Sequence, residues 1–154
     1  MLPFGGTMMH IRNMTISDYD RVYALWMSCK NMGFNDLDDS REGIDKFLKR
    51  NPTTSFVAEA AGEIVGVALC GHDGRRGYVY HMSVSEGHRR EGIATDLLDR
   101  CLTALKAEGI HKVALLVFRR NEAGNAFWES RGFVERQDVA YRNKALVELV
   151  RIDT

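Results

Sequence analysis

Residues 84–98 read Val-Ser-Glu-Gly-His-Arg-Arg-Glu-Gly-Ile-Ala-Thr-Asp-Leu-Leu. An alternating apolar stretch ends at Val84, and a helical apolar period opens at Ile93. Between them lies a basic loop containing glycine. A helix start of this kind carries backbone N–H groups without intrahelical partners and about half a positive charge. The pattern therefore predicts an anion site at Arg89, Arg90, Glu91, Gly92, Ile93, Ala94 and Thr95. Arg89 and Arg90 add guanidinium groups that pair well with phosphate oxygens. The small residues Gly92 and Ala94 leave room for a diphosphate to reach the main chain. Other phosphate loops do not fit: no Gly-Lys-Ser/Thr follows, and Gly87 and Gly92 do not make Gly-x-Gly-x-x-Gly.

The elements that must hold this loop follow the order β-α-α-β-β-β-α-β-α-β-β. A strand is expected over 9–14. Thr15 then caps a helix with Asp18 at the capping-box position and Val22, Leu25, Trp26 and Cys29 on its inner face. An acidic loop covers 35–39. Ser40 caps a short helix carrying Ile44, Phe47 and Leu48, which Asn51-Pro52 stops. Strands at 55–60 and 64–70 precede a turn at Asp73-Gly74 and a strand at 78–84. The long helix turns Ile93, Leu97, Leu98, Cys101, Leu102 and Leu105 inward and stops at Gly109. A strand at 112–118, a helix at 122–131 ended by Gly132, and strands at 133–136 and 146–152 follow. This is a mixed α/β order, not a regular βαβ series.

A length of 154 residues suits one domain, expected over 9–153, with 1–8 as an N-terminal extension. Hydrophobic content of 45% and charged content of 27% are ordinary for a globular protein. A net charge of zero argues against nucleic acid as a partner. No apolar run is long enough to span a membrane. The first residues lack a basic, signal-like start, so no export is expected. Cys29, Cys70 and Cys101 are odd in number and sit in apolar segments, which predicts buried thiols in a reducing, cytoplasmic setting and no metal site.

Arg89-x-x-Gly92-x-Ala94 resembles the Gln/Arg-x-x-Gly-x-Gly/Ala signature of the GNAT superfamily of N-acetyltransferases. Asn121-x-x-Gly124-Asn125-Ala126-Phe127-Trp128-x-x-x-Gly132-Phe133 is similar to a second pattern of that family. The resemblance covers roughly residues 9–152. It implies a GNAT fold: a central twisted mixed sheet of about seven strands with helices on both faces. It implies acetyl-CoA as cosubstrate, with its diphosphate on the 89–95 loop and its pantetheine along Met82, Ser83 and Val84 like an added strand. An N–H of Met82 or Val84 would then polarise the thioester carbonyl. Asn121 is implied as a pantetheine contact. The acceptor, a small-molecule or protein amine, is implied beside the acidic loop, where Asp36 and Asp38 suit a cation.

The chain departs from the family at the groups that move protons. A lysine-like amine must lose a proton at a cost of about 4–5 kcal/mol at neutral pH, an α-amine about 1 kcal/mol. The usual carboxylate or imidazole positions hold Tyr78 and Tyr80, and those on the next strand hold Leu116 and Val117. Tyr80, acting through a water, is the first candidate base. His81 is the second, although strand alternation sends it to the other face unless a bulge turns it. The family's acid tyrosine aligns with Trp128, whose indole donates a hydrogen bond but is no acid. Tyr141 is a substitute only if its strand returns to the site. Two classes stay open: an N-acetyltransferase, and an acyl-CoA-binding sensor or interaction module without turnover. The oligomeric state is open too, a homodimer included.

Overall fold

The structure, a computed structural model, describes residues 2–4 and 7–154. Its strands are β1 (Leu2–Phe4), β2 (Thr7–Asn13), β3 (Gly33–Asn35), β4 (Phe56–Ala60), β5 (Glu63–His72), β6 (Gly77–Val84), β7 (Val113–Leu115) and β8 (Arg151–Asp153). Its helices are α1 (Tyr19–Ser28), α2 (Arg41–Arg50), α3 (Ile93–Ala107) and α4 (Glu122–Ser130). Short 3-10 turns at Ile16–Asp18 and Glu86–His88 lead toward α1 and α3. Of the expected extension 1–8, Leu2–Phe4 pairs with β2 as an edge strand, and Met1, Gly5 and Gly6 lie outside the described residues.

Six strands form a mixed sheet in the order β1-β2-β4-β5-β6-β7, with β3 and β8 in a separate two-stranded ribbon. Only β6–β7 is parallel within the large sheet. Alternation along the central strands feeds two cores. Val57, Val67 and Leu69 pack with Val22, Leu25 and Trp26 of α1 and Ile44 and Leu48 of α2. Ala58, Ala68 and Val79 pack with Leu97, Leu98, Cys101 and Leu105 of α3 and Trp128 of α4. Cys29, Cys70 and Cys101 are all buried in these cores.

The helix boundaries follow local chemistry. Asp18 closes the capping box by accepting from the Thr15 N–H (2.9 Å) and also receives two hydrogen bonds from Arg12 (2.7 and 2.8 Å). The Ser40 hydroxyl accepts from the Gly43 N–H (3.0 Å) to open α2. Gly109, at φ +78°, follows α3 in the left-handed conformation that ends helices.

Three expectations change. The strand expected over 112–118 is ordered as a ladder only at Val113–Leu115. The strand expected over 133–136 does not form. That expected over 146–152 is reduced to β8, which pairs with β3 and not with the large sheet. The cause is packing: Val134, Val139, Leu146, Val147 and Val150 are solvent-exposed, and Ile152 of β8 is the apolar residue of this segment that packs on the α1–α2 core. An alternating pattern makes a strand only where a partner edge is offered.

Candidate functional site

An open cleft of about 1820 Å³ runs between β6, the 115–118 segment, the start of α3, α4 and the loop between α1 and α2. Its floor is a parting of strands. The β6–β7 ladder pairs Gly77 with Val113, Tyr78 with Ala114 and Val79 with Leu115, and goes no further. Beyond Val79 one edge of β6 faces the cleft unpaired. The Ser85 N–H donates to the Val65 carbonyl on the β5 side (2.8 Å). Two-residue alternation therefore turns the N–H groups of Met82 and Val84 to the open edge. Ser83 is buried, and its hydroxyl donates to Met32 Sδ (2.9 Å).

At the end of this edge stands the basic loop. Arg90 (φ 64°) and Gly92 (φ 81°) are both left-handed, and such turns aim successive N–H groups into one concavity. Gly92 caps α3 without a side-chain acceptor. The first-turn amides of Ile93, Ala94 and Thr95 thus have no partner within the helix. Arg89, Arg90, Gly92, Ile93, Ala94 and Thr95 line the cleft. Glu91 does not; its carboxylate lies toward His88 (3.7 Å), so only its main chain shapes the loop. The Arg89 Nε donates to the Val84 carbonyl (3.2 Å), which latches the loop to the strand. A diphosphate fits this donor set of amides and guanidinium groups.

The other end of the cleft is set by a bulge. Leu69 pairs with His81 and Cys70 with Val79, so Tyr80 is the extra residue on β6. A bulge breaks the strict alternation. His81 accordingly faces the α1–α2 side together with Tyr80, against the expectation from simple alternation. Its Nε2 lies 2.7 Å from Asp39 Oδ1, and both side chains are about nine-tenths buried (11% and 9% exposed). The ring packs on Trp26 (5.0 Å between centroids) and Phe34 (4.6 Å). The Asn35 N–H donates to Asp39 Oδ2 (2.8 Å), and the Tyr19 hydroxyl donates to the Asp39 carbonyl (2.6 Å). Tyr80 is half-exposed and lies tilted against Tyr78 (4.5 Å) and edge-on to Phe47 (5.4 Å). Burial, with Tyr141 and Tyr80 nearby, pushes the Tyr78 phenol up to about 12. Burial and the Asp38 charge likewise raise that of Tyr80, which leaves it a hydrogen-bond donor at neutral pH.

Asp38 lines the cleft, with its carboxylate accepting from Asn35 Nδ2 (2.9 Å). Asp36 does not reach it: its Oδ1 accepts from the Val150 N–H (2.7 Å), and its own N–H donates to the Val150 carbonyl. Asp36 is a tie to the C-terminal segment and is corrected as a substrate contact. Asn121 lines the cleft and caps α4 by accepting from the Gly124 N–H (2.9 Å). Trp128 borders the cleft but is mostly core, edge-on to Phe127 and Phe133 (5.0 and 5.1 Å). Tyr141 lines the cleft from an irregular segment, not a strand. Asp39 is the residue that sequence reasoning left unassigned within the acidic loop 35–39; no local pattern links it to His81, 42 residues away.

The model of the acetyltransferase (GNAT) family matches residues 19–133. An acetyltransferase of Sodalis glossinidius is 33% identical over 140 residues, 91% of this chain and 97% of that protein. Among solved structures, an aminoglycoside N-acetyltransferase in complex with CoA superimposes with a TM-score of 0.70 at 19% identity, covering 94% of this chain and 99% of that one. The ribosomal-protein-S18-alanine N-acetyltransferase of Escherichia coli does so with a TM-score of 0.70 at 20% identity, covering 84% and 80%.

Proposed function

Because the chain belongs to the GNAT acetyltransferase family, we propose that it moves the acetyl group of acetyl-CoA to a primary amine by direct attack on the thioester. One observation carries this reading. The unpaired edge of β6 at Met82 and Val84 runs straight into the left-handed turn at Arg90–Gly92 and the free amides of α3. A strand edge and an anion nest in line match a ligand with an amide-bearing arm and a diphosphate.

In this reading Arg89, Arg90 and the amides of Gly92 to Thr95 hold the diphosphate. The N–H of Met82 or Val84 donates to the thioester carbonyl, whose oxygen gains charge as the amine attacks. Asn121 and Trp128 border the pantetheine. The acceptor enters from the end walled by Asp38, Tyr78, Tyr80 and Tyr141, where a carboxylate and aromatic faces suit a cationic amine. It is a small molecule or a protein amine; the similar folds include an enzyme of each kind. The cytoplasm, where acetyl-CoA is made and used, is the proposed compartment; among the described residues no helix is long and apolar enough to cross a membrane.

A second reading, an acyl-CoA-binding sensor without turnover, is favoured by the indole of Trp128 in place of an acid phenol. A leaving thiol with a pKa near ~8.5 needs little protonation, which weakens that argument. Thiol release from acetyl-CoA with a panel of primary amines and α-amino peptides separates the two. Turnover is expected; acetyl-CoA binding by calorimetry with no thiol release for any amine would establish the sensor.

A further inference from the structure

We propose that His81 and Asp39 form a dyad in which His81 removes the proton from the acceptor amine and Asp39 is its positioning residue; this deepens the acetyl-transfer reading above and rests on it.

Four observations converge. The bulge at Tyr80 turns His81 out of the alternation and onto the cleft wall. The 2.7 Å contact with Asp39 fixes the tautomer, because a carboxylate only accepts: Nε2 carries the hydrogen, and Nδ1 keeps the lone pair. Asp39 is held in turn by the Asn35 N–H and, through its carbonyl, by the Tyr19 hydroxyl. Trp26 and Phe34 clamp the imidazole plane. A base oriented by a third group is the recurring arrangement for activating a nucleophile. It also answers a need that the positions singled out in the sequence do not meet: Tyr80 holds its proton at neutral pH, and Leu116 and Val117 are apolar.

The protons balance as follows. The acceptor ammonium gives one proton to His81 Nδ1, and the imidazolium is stabilised by the Asp39 carboxylate. The neutral amine nitrogen bonds to the acetyl carbon, and the carbon–sulfur bond breaks. The second nitrogen proton ends on the departing thiolate, and the imidazolium releases its proton to solvent. Products are the amide, the free thiol and one proton.

Asp38 and Asp39 of the loop before α2, Lys46 and Arg50 of α2, Tyr80 of β6 and the Arg151–Asp153 pair of β8 line the same cleft as His81, and the Tyr19 hydroxyl reaches the Asp39 carbonyl. Asp39 is the one in direct contact with the ring nitrogen.

The test uses the full chain with acetyl-CoA and primary amines of graded basicity, following thiol release across pH. His81→Gln should lower kcat/KM by about 10²- to 10³-fold for the most basic amines and progressively less for weakly basic ones. Acetyl-CoA affinity by calorimetry should change less than threefold, which also shows that the variant folds. Asp39→Asn keeps an oxygen for the Nε2–H but removes the charge. It should lower kcat/KM about tenfold for the most basic amines and progressively less for weakly basic ones. A purely structural tie would lower all amines equally, and such a result overturns the dyad. Turnover of His81→Gln equal to wild type also overturns it while leaving the acetyl-transfer reading intact. No thiol release by the wild-type protein for any amine overturns both.

Discussion

Arg89 latches the loop and also lines the cleft. Its Nε donates to the Val84 carbonyl, and its Nη2 lies 3.9 Å from the Cys29 sulfur, so the guanidinium pins the loop to the strand end while carrying a charge into the cleft. Arg89→Ala should weaken acetyl-CoA binding by ~1–3 kcal/mol, the range of a charge-assisted bond. Calorimetry at low and high salt divides the effect, because only the charge contribution is screened. An equal loss at both salts would assign Arg89 to the latch alone. Trp128 is the opposite case, a cleft-side residue whose main task is packing. Its indole is 9% exposed and wedged between Phe127 and Phe133. Trp128→Ala should cost ~3–5 kcal/mol of stability in denaturant unfolding, and so any loss of cofactor affinity must be read on protein shown to be folded.

Two elements depend on short junctions. At the start of α3 a Cβ on Gly92 would meet nothing within 4 Å, but φ is +81°. The requirement for glycine is therefore conformational and not spatial, at least before a ligand arrives. Gly92→Ala should cost ~1 kcal/mol through the left-handed backbone. An affinity loss for acetyl-CoA much larger than the drop in stability would locate the diphosphate on this turn. At the start of α1, Asp18 is buried among Arg12, Arg21 and the Thr15 N–H. Burial alone would raise its carboxyl, but those donors and charges outweigh it and hold the group below the ordinary carboxylate value. A depressed folded-state value means stability that is present above the unfolded carboxylate pKa and is lost as pH falls through the folded one. Asp18→Asn should cost ~2–3 kcal/mol at neutral pH. It should also flatten the acid limb of stability against pH, which thermal melts between pH 7 and pH 3 would measure.

The whole molecule is a sheet with a core on each face and a cleft where two of its parallel strands part. The proposed acceptor end is held from a distance: β8 pairs with β3, and Asp36 and Val150 exchange hydrogen bonds, so this segment braces the loop that carries Asp38 and Asp39. Between Phe133 and this brace the chain buries little. Leu146 is 91% exposed. Leu146→Ser should therefore change unfolding free energy by less than ~0.5 kcal/mol. A larger destabilisation would show that this segment is covered in solution.

The sequence by itself determined what depends on neighbours in the chain. The loop from Arg89 to Ala94, the caps at Thr15 and Ser40, and the stop at Gly109 are legible because a turn or a helix end is decided within a few residues. The apolar periods likewise placed both cores, and the order of elements from the strand at 9–14 to the helix at 122–131 agreed with the fold except for the short β3 between α1 and α2. Tertiary structure decided the rest. The extra residue at Tyr80 arises from the register between β5 and β6, and no residue type within β6 announces it. The His81–Asp39 contact and the Asp36–Val150 tie join residues 42 and 114 positions apart. The apolar stretches at 133–136 and 146–150 have the composition of strands but find no edge to pair with. Strand pairing and long-range hydrogen bonds depend on which partners the fold brings near, and periodicity carries no record of that.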